Sequence, residues 1–328
     1  MEADVVKLTA NLVYGIPSLI LYGVILVQLV RPKYRKRFDN PFFYLCFLIG
    51  VVDCIGYIIS FFFITLPTYS LFSSFYGSPF FSPGPFTTAI YFSVYFFGYL
   101  QLFGNCFLTF NRFTCIVFPL KHVTIWKICF PASVAITVVA FLAPCWQLST
   151  TLAYYMPLFK NLPQLGYGMN YDHSKYPYHS NSFNLFLANF VNCSFCLLSN
   201  TVSACFLFLH TSKLSGTMSK NRRAELNLFL MALIIFAFQS IFGVHQVLVY
   251  VAMYYTNSGN LVAVLYTLVP WISDLKYLSP PWVLVIVSTS VRETVIKALP
   301  RRLLQYHNWA AGTTTVTVTS ISIKSRTT

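Results

Sequence analysis

Seven long apolar runs dominate the chain, at residues 13–30, 41–66, 88–113, 126–150, 183–209, 227–255 and 261–287. Each approaches or exceeds the roughly 20 residues that a helix needs to cross a bilayer. A backbone in lipid must satisfy its own hydrogen bonds, so each run predicts a membrane-spanning helix. The runs are too long, and alternate too little, to be strands of a membrane barrel. The longest remaining pieces, 151–182 and 288–328, are too short for a second cored domain. The pattern therefore predicts an all-α membrane protein. A seven-transmembrane helix bundle with an amphipathic helix occupies residues 1–304, and a Ser/Thr-rich cytoplasmic tail occupies 305–328. In the tail, Val291, Val295, Leu299 and Leu303 recur every four residues, which predicts an amphipathic helix over 288–304, interrupted at Pro300.

Charge sets the orientation. Only 9% of residues are charged and 56% are hydrophobic, against about 25% charged in a soluble domain. That excludes a soluble enzyme, a disordered chain and a disulfide scaffold. The net charge of +14 would suggest nucleic acid in a soluble protein. Here 18 of the 22 Lys and Arg fall on one set of connections, at 31–40, around 112–127, at 210–226 and in the tail, against three on the opposite set. This asymmetry puts the N-terminus outside and the C-terminus in the cytoplasm, with the basic loops facing anionic lipid. Residues 1 to 12 are short and polar, so no cleavable leader is expected. The outer loops are rich in rings: 151–182 carries Tyr154, Tyr155, Tyr167, Tyr171, Tyr176 and Tyr178. They read either as an aromatic belt at the interface or as a lid over a ligand entrance.

Three ionisable side chains lie inside spans: Asp53, Asp274 and Lys276. An intramembrane charge costs about 2.5–3.5 kcal/mol on insertion scales and usually pairs or lines a cavity. Asp274 and Lys276 are two residues apart, about 200° around a helix, and cannot face one another. Asp53 and Lys276 sit at matching depths, about 18 and 17 Å from the inner ends of spans two and seven. They are therefore expected to form a buried ion pair, the alternative being that each bonds to buried waters and amides. Asp274 is then expected to face the interior with Gln101 and Asn105, or with His245 and Gln246. Gln101, Asn105 and His245 are the candidate ligand-pocket residues, chosen by depth. The six histidines are scattered, phosphate-cradling and nucleophile-elbow motifs are absent, and Cys193-x-x-Cys196 sits in an apolar run. No metal, cofactor or catalysis is expected.

After span three the chain reads Asn111-Arg112-Phe113-Thr114-Cys115-Ile116-Val117-Phe118-Pro119-Leu120. An Arg at a cytoplasmic helix end can reach neighbouring helices or snorkel to headgroups. Pro119 ends the helix and leaves Leu120 as an apolar knob. This segment resembles the D/E-R-Y-x-x-I-x-x-P-L stretch of rhodopsin-like G-protein-coupled receptors, with Asn for the acid. Span six lacks the usual proline, and span seven reads Ser279-Pro280-Pro281-Trp282 rather than N-P-x-x-Y. Those departures, with Ile16-Pro17-Ser18-Leu19-Ile20-Leu21-Tyr22, the basic run Lys33-Tyr34-Arg35-Lys36-Arg37-Phe38 before Asn40-Pro41-Phe42, Val52-Asp53, and the segment from Leu108 to Lys127, resemble the nematode serpentine chemoreceptors of the Srg superfamily, most closely the Srv family. The resemblance implies a rhodopsin-like bundle in the plasma membrane or a sensory cilium. It implies a receptor that binds an external small molecule and signals through a heterotrimeric G protein. Arg112, Pro119 and Leu120 would then meet that partner, with Lys220, Arg222 and Arg223 as a basic rim. The rival reading is a small-solute transporter or channel using Asp53, Asp274 and Lys276 as pathway charges. The absence of a visible repeat counts against it.

Overall fold

Each apolar run folds as a helix, and six of the seven helices begin ahead of the run in its polar flank. The computed structural model describes residues 2–159, 162–172, 181–212, 220–255 and 259–298. The helices are α1 (Glu2–Val30), α2 (Pro41–Ser60), α3 (Pro85–Val117), α4 (His122–Thr150), α5 (Asn181–Ser212), α6 (Lys220–Tyr255) and α7 (Gly259–Val287), followed by the short α8 (Thr289–Ala298). Seven are long and apolar enough to cross a membrane, and the chain is a multi-pass membrane protein with a seven-helix architecture. The start of α2 shows the local logic. Asn40 accepts a hydrogen bond from the Phe42 amide at 2.9 Å, and Pro41 fills the first turn, where no donor is needed. At its outer end α2 loosens into a π turn (Phe61–Thr65) and a 3-10 turn (Leu66–Thr68) around Pro67.

The helix α3 packs against α2, α4, α5 and α6, while α7 closes the ring against α6, α2 and α1. Burial follows position in the bundle: 44% of the most apolar stretch is covered in α3, α6 and α7, against 11% in α4. Small residues allow the closest approaches. At Gly56 of α2 a Cβ would lie 2.7 Å from the Tyr277 ring of α7, so only glycine fits there.

Between α4 and α5 the aromatic loop folds as an antiparallel hairpin, β1 (Ala153–Pro157) with β2 (Tyr167–Tyr171), in which Ala153 faces Tyr171. Gly166 precedes β2 at φ 126°, a left-handed geometry that glycine tolerates, and its backbone presses close to Thr68. Period-two alternation turns Tyr155, Met169 and Tyr171 into an outer aromatic cluster with Tyr69, Tyr76, Phe81 and Tyr91. The Tyr155 hydroxyl donates to the Phe63 carbonyl at 2.8 Å, and the Ala153 amide donates to Thr88 Oγ1 at 3.0 Å. Burial pushes the Tyr155 phenol well above its ordinary pKa and that of Tyr76 up to about 12, so both stay neutral donors. Tyr176 and Tyr178 lie outside the described residues.

The inner half is different. Ile25, Phe42, Leu45, Leu108, Met231 and Leu284 belong to one apolar cluster that also takes in Trp126 and, from α8, Val291 and Val295. Arg37 of the first inner connection meets Glu293 of α8 at 2.8 Å. Residues 299–304 and the tail 305–328 lie outside the described residues. All nine cysteines are free thiols.

Candidate functional site: an outer cavity, a buried polar chain and a covered arginine

Beneath the hairpin the outer ends of the helices enclose a cavity of about 130 Å³. Its roof is Gly168–Tyr171 of β2, and its walls include Tyr91 and Tyr95 of α3, Gln246 of α6 and Tyr266 of α7. Its deep end is lined by Ser60 of α2, Gly98 of α3, Phe242 of α6, and Lys276 and Tyr277 of α7. The volume is close to that of an engineered apolar cavity that takes one benzene ring. The hairpin thus covers a cavity, and of its tyrosines Tyr171 joins the lining.

Below the cavity runs a chain of buried polar groups. Asp53, fully buried, accepts from the Tyr22 hydroxyl at 2.6 Å and from Gln101 Nε2 at 2.6 Å. Gln101 Nε2 also donates to the Lys276 backbone carbonyl at 3.1 Å. The expected Asp53–Lys276 ion pair is not formed. Among the described residues, ion pairs join Lys7 to Asp4 and Arg37 to Glu293. The depths match, but the directions do not. The carboxylate of Asp53 is held by α1 and α3, while Nζ of Lys276 lies 4.2 Å from the Phe242 ring centroid and 5.1 Å from that of Tyr277. Gln101 Nε2 joins Asp53 to the backbone of Lys276, not to its ammonium.

Asp274 also departs from expectation. Two residues from Lys276, it turns to the opposite side of α7 and accepts from the Tyr14 hydroxyl of α1. It does not join Gln101 and Asn105, or His245 and Gln246. Asn105 Nδ2 lies 3.4 Å from Gln239 Oε1, and Gln239 Nε2 donates to Asn189 Oδ1 at 2.8 Å, which links α3, α6 and α5. His245 Nε2 lies 3.0 Å from the Leu265 carbonyl. Of the three pocket candidates, none lines the outer cavity; Gln246, one residue beyond His245, does. Asp53 and Asp274 are likewise off that cavity. Among the described residues no cluster of His, Cys, Asp or Glu is suited to a metal ion.

At the other end of α3, Arg112 is buried, 3% exposed. Its guanidinium lies 4.0 Å over the Phe42 ring, and its Nη2 donates to Asn111 Oδ1 at 2.6 Å. Asn111 thus supplies a neutral acceptor where an acid would give an ion pair. Thr114 Oγ1 accepts from Trp126 Nε1 at 2.9 Å and lies 3.1 Å from His122 Nδ1, which ties the end of α3 to the start of α4. The turn between them projects Leu120, 98% exposed, with Pro119 beside it. Lys220, Arg222 and Arg223 stand at the start of α6, and their side chains lie outside the described residues. Sequence reasoning missed Tyr14, Tyr22, Trp126 and His122; a polar ring in an apolar run was the available signal.

A family model described as Srg family chemoreceptor matches residues 8–295. Serpentine receptor class gamma-10 of Caenorhabditis elegans is 25% identical over 218 residues, which are 66% of this chain and 62% of that relative. Serpentine receptor class V-1 of the same organism is 33% identical over 119 residues, 36% of each chain. Each alignment thus spans less than two thirds of the relative's length. The family match takes in every span of the bundle and most of α8, and the chain belongs to the Srg family of chemoreceptors.

Proposed function

We propose that this chain is a chemosensory receptor of the plasma membrane, N-terminus outside, that binds an external small molecule and signals to a heterotrimeric G protein. The carrying observation is the division of the bundle: a lidded cavity at one end, a covered arginine at the other, with α3, α6 and α7 running through both. A ligand that fits one arrangement of those helices better than another shifts their populations. The cover of Phe42 over Arg112 supports reading this arrangement as the closed one. Parting of the inner helix ends exposes Arg112 to the partner, next to Leu120 and Pro119, with Lys220, Arg222 and Arg223 as a basic rim. The V-1 segment favours an Srv-type assignment within the family.

The test is a cell line carrying a reporter G protein, challenged with a panel of small molecules. Arg112→Ala is expected to abolish responses while surface labelling of an N-terminal epitope persists. A response that survives Arg112→Ala, or one carried by solute flux without G protein, overturns the reading.

A further inference from the structure

The outer cavity is lined by one basic side chain. Among its lining residues Lys276 is the sole Lys or Arg, and none is Asp or Glu. Its Nζ lies between the rings of Phe242 and Tyr277, both of which line the same space. The residue is 5% exposed, and among the described residues the ammonium has no hydrogen-bond acceptor and no ion pair. A buried ammonium without an acceptor is costly, and ring faces replace only part of its hydration. Asp53 offsets the charge at longer range, but its two oxygens already accept from Tyr22 and Gln101. An anion that arrives through the cavity would supply the acceptor.

The rest of the lining fixes what the anion is attached to. Ile64, Val94, Leu185, Val249 and Val269 give apolar walls, and Tyr91 and Tyr266 add ring faces. Ser273, one turn outward from Lys276 on α7, lines the same cavity and offers it a hydroxyl. A volume of about 130 Å³ admits a body the size of one ring. We propose that the ligand of this cavity is a small organic acid: a carboxylate on Lys276 Nζ at the deep end, and a one-ring apolar body between the tyrosines beneath the hairpin. The inference deepens the receptor reading and rests on it for the cavity's purpose. A cationic ligand meets a like charge here. A neutral one leaves the ammonium without an acceptor.

The experiment uses the full chain in lipid nanodiscs and measures binding directly. The probes are phenylacetate and 3-phenylpropionate, their amides, and phenethylamine. A ligand of about ten heavy atoms at ordinary efficiency binds in the millimolar range, so each is titrated to about 10 mM. The acids are expected to bind at least about tenfold more tightly than their amides, the difference that one charge-assisted hydrogen bond supports, and the amine more weakly still. Lys276→Met is expected to bring acid and amide to the same affinity, and Lys276→Arg to keep the acid preference. Amides that bind as well as acids, an acid preference that survives Lys276→Met, or no acid binding up to about 10 mM each overturn the proposal. The comparison of acid with amide in the unmodified chain stands even where Lys276→Met does not fold. Acid binding without G-protein response sinks the receptor reading and leaves this inference. A G-protein response to neutral compounds alone does the reverse.

Discussion

The outer and inner halves of the bundle are built from different materials. Outside, tyrosines and phenylalanines pack around a hairpin, their hydroxyls bond to backbone carbonyls, and a cavity remains. Inside, mostly aliphatic side chains form one cluster with Phe42, which covers the guanidinium of Arg112, and the space among Ile25, Cys46, Ile49 and Leu108 is about 20 Å³. Rings with polar tips can re-pair when a ligand enters, whereas an aliphatic core has discrete arrangements and gives way all at once. The outer half is thus suited to recognition and the inner half to a two-state response. The Asp53–Gln101 chain lies between them.

The largest expected effect comes from opening the inner half. Phe42 is fully buried and covers Arg112, so Phe42→Ala combines a core cavity with release of the arginine. Losses of about 3–5 kcal/mol are typical of such truncations. Phe42→Leu keeps most of the volume but loses the ring face. At matched surface level Phe42→Leu is expected to raise basal G-protein signalling; a basal level equal to that of the unmodified chain argues against closure by this contact.

Cutting the chain between the halves is expected to cost less. Asp53→Ala leaves the Tyr22 hydroxyl buried without its acceptor, about 1–3 kcal/mol for that orphaned group, and leaves Gln101 Nε2 with the Lys276 carbonyl alone. Asp53→Asn keeps an acceptor oxygen and is expected to melt between Asp53→Ala and the unmodified chain. Equal melting temperatures for Ala and Asn contradict the hydrogen-bonding role.

In the outer half, Tyr155→Phe removes one bond between the hairpin and Phe63, a net effect of about 1 kcal/mol. That free energy corresponds to roughly fivefold faster amide exchange in residues 153–156. Global melting is expected to change little, since the hairpin can open locally. Unchanged exchange in the hairpin, or a large fall in melting temperature, places the lid inside the main cooperative unit instead.

Depth along the membrane was legible in the sequence; direction around each helix was not. The seven runs located the helices, and Gln101 bonds both Asp53 and the Lys276 carbonyl, so the two residues lie close together in the bundle. Counting does not give azimuth, which depends on the packing of seven helices. A step of one residue turns the side chain by about 100°, the difference between His245 on the Leu265 carbonyl and Gln246 on the cavity. The same uncertainty turned Asp274 to Tyr14 rather than to Gln101. The hairpin was invisible for another reason. Its strands are five residues each, tyrosine-rich on both faces, and their pairing is stabilised by the aromatic cluster beneath them. The exposure of Leu120 follows directly from Pro119, a local effect that sequence reveals well.

The smallest effect concerns the margin of the inner half, where α8 meets the first inner connection. The hydrogen bond and charge of Arg37, 2.8 Å away, hold the Glu293 carboxyl below its ordinary pKa. A group whose folded pKa is lowered stabilises above its unfolded pKa, and that contribution fades as pH falls through the lowered folded value. The tie is therefore complete at neutral pH and lost only in acid, below the ordinary carboxylate range. Glu293 is fully exposed, so salt screens the pair strongly; at about 1 M salt the Debye length is about 3 Å. Exchange of the α8 amides is expected to be slightly faster in Glu293→Gln than in the unmodified chain at neutral pH and low salt, and equal in both at about 1 M salt or at pH about 3. Val291 and Val295 remain buried against the apolar cluster in either case, so α8 stays docked. A difference that persists in high salt shows that Glu293 acts through packing rather than charge, and makes the ion pair incidental to the closed inner half.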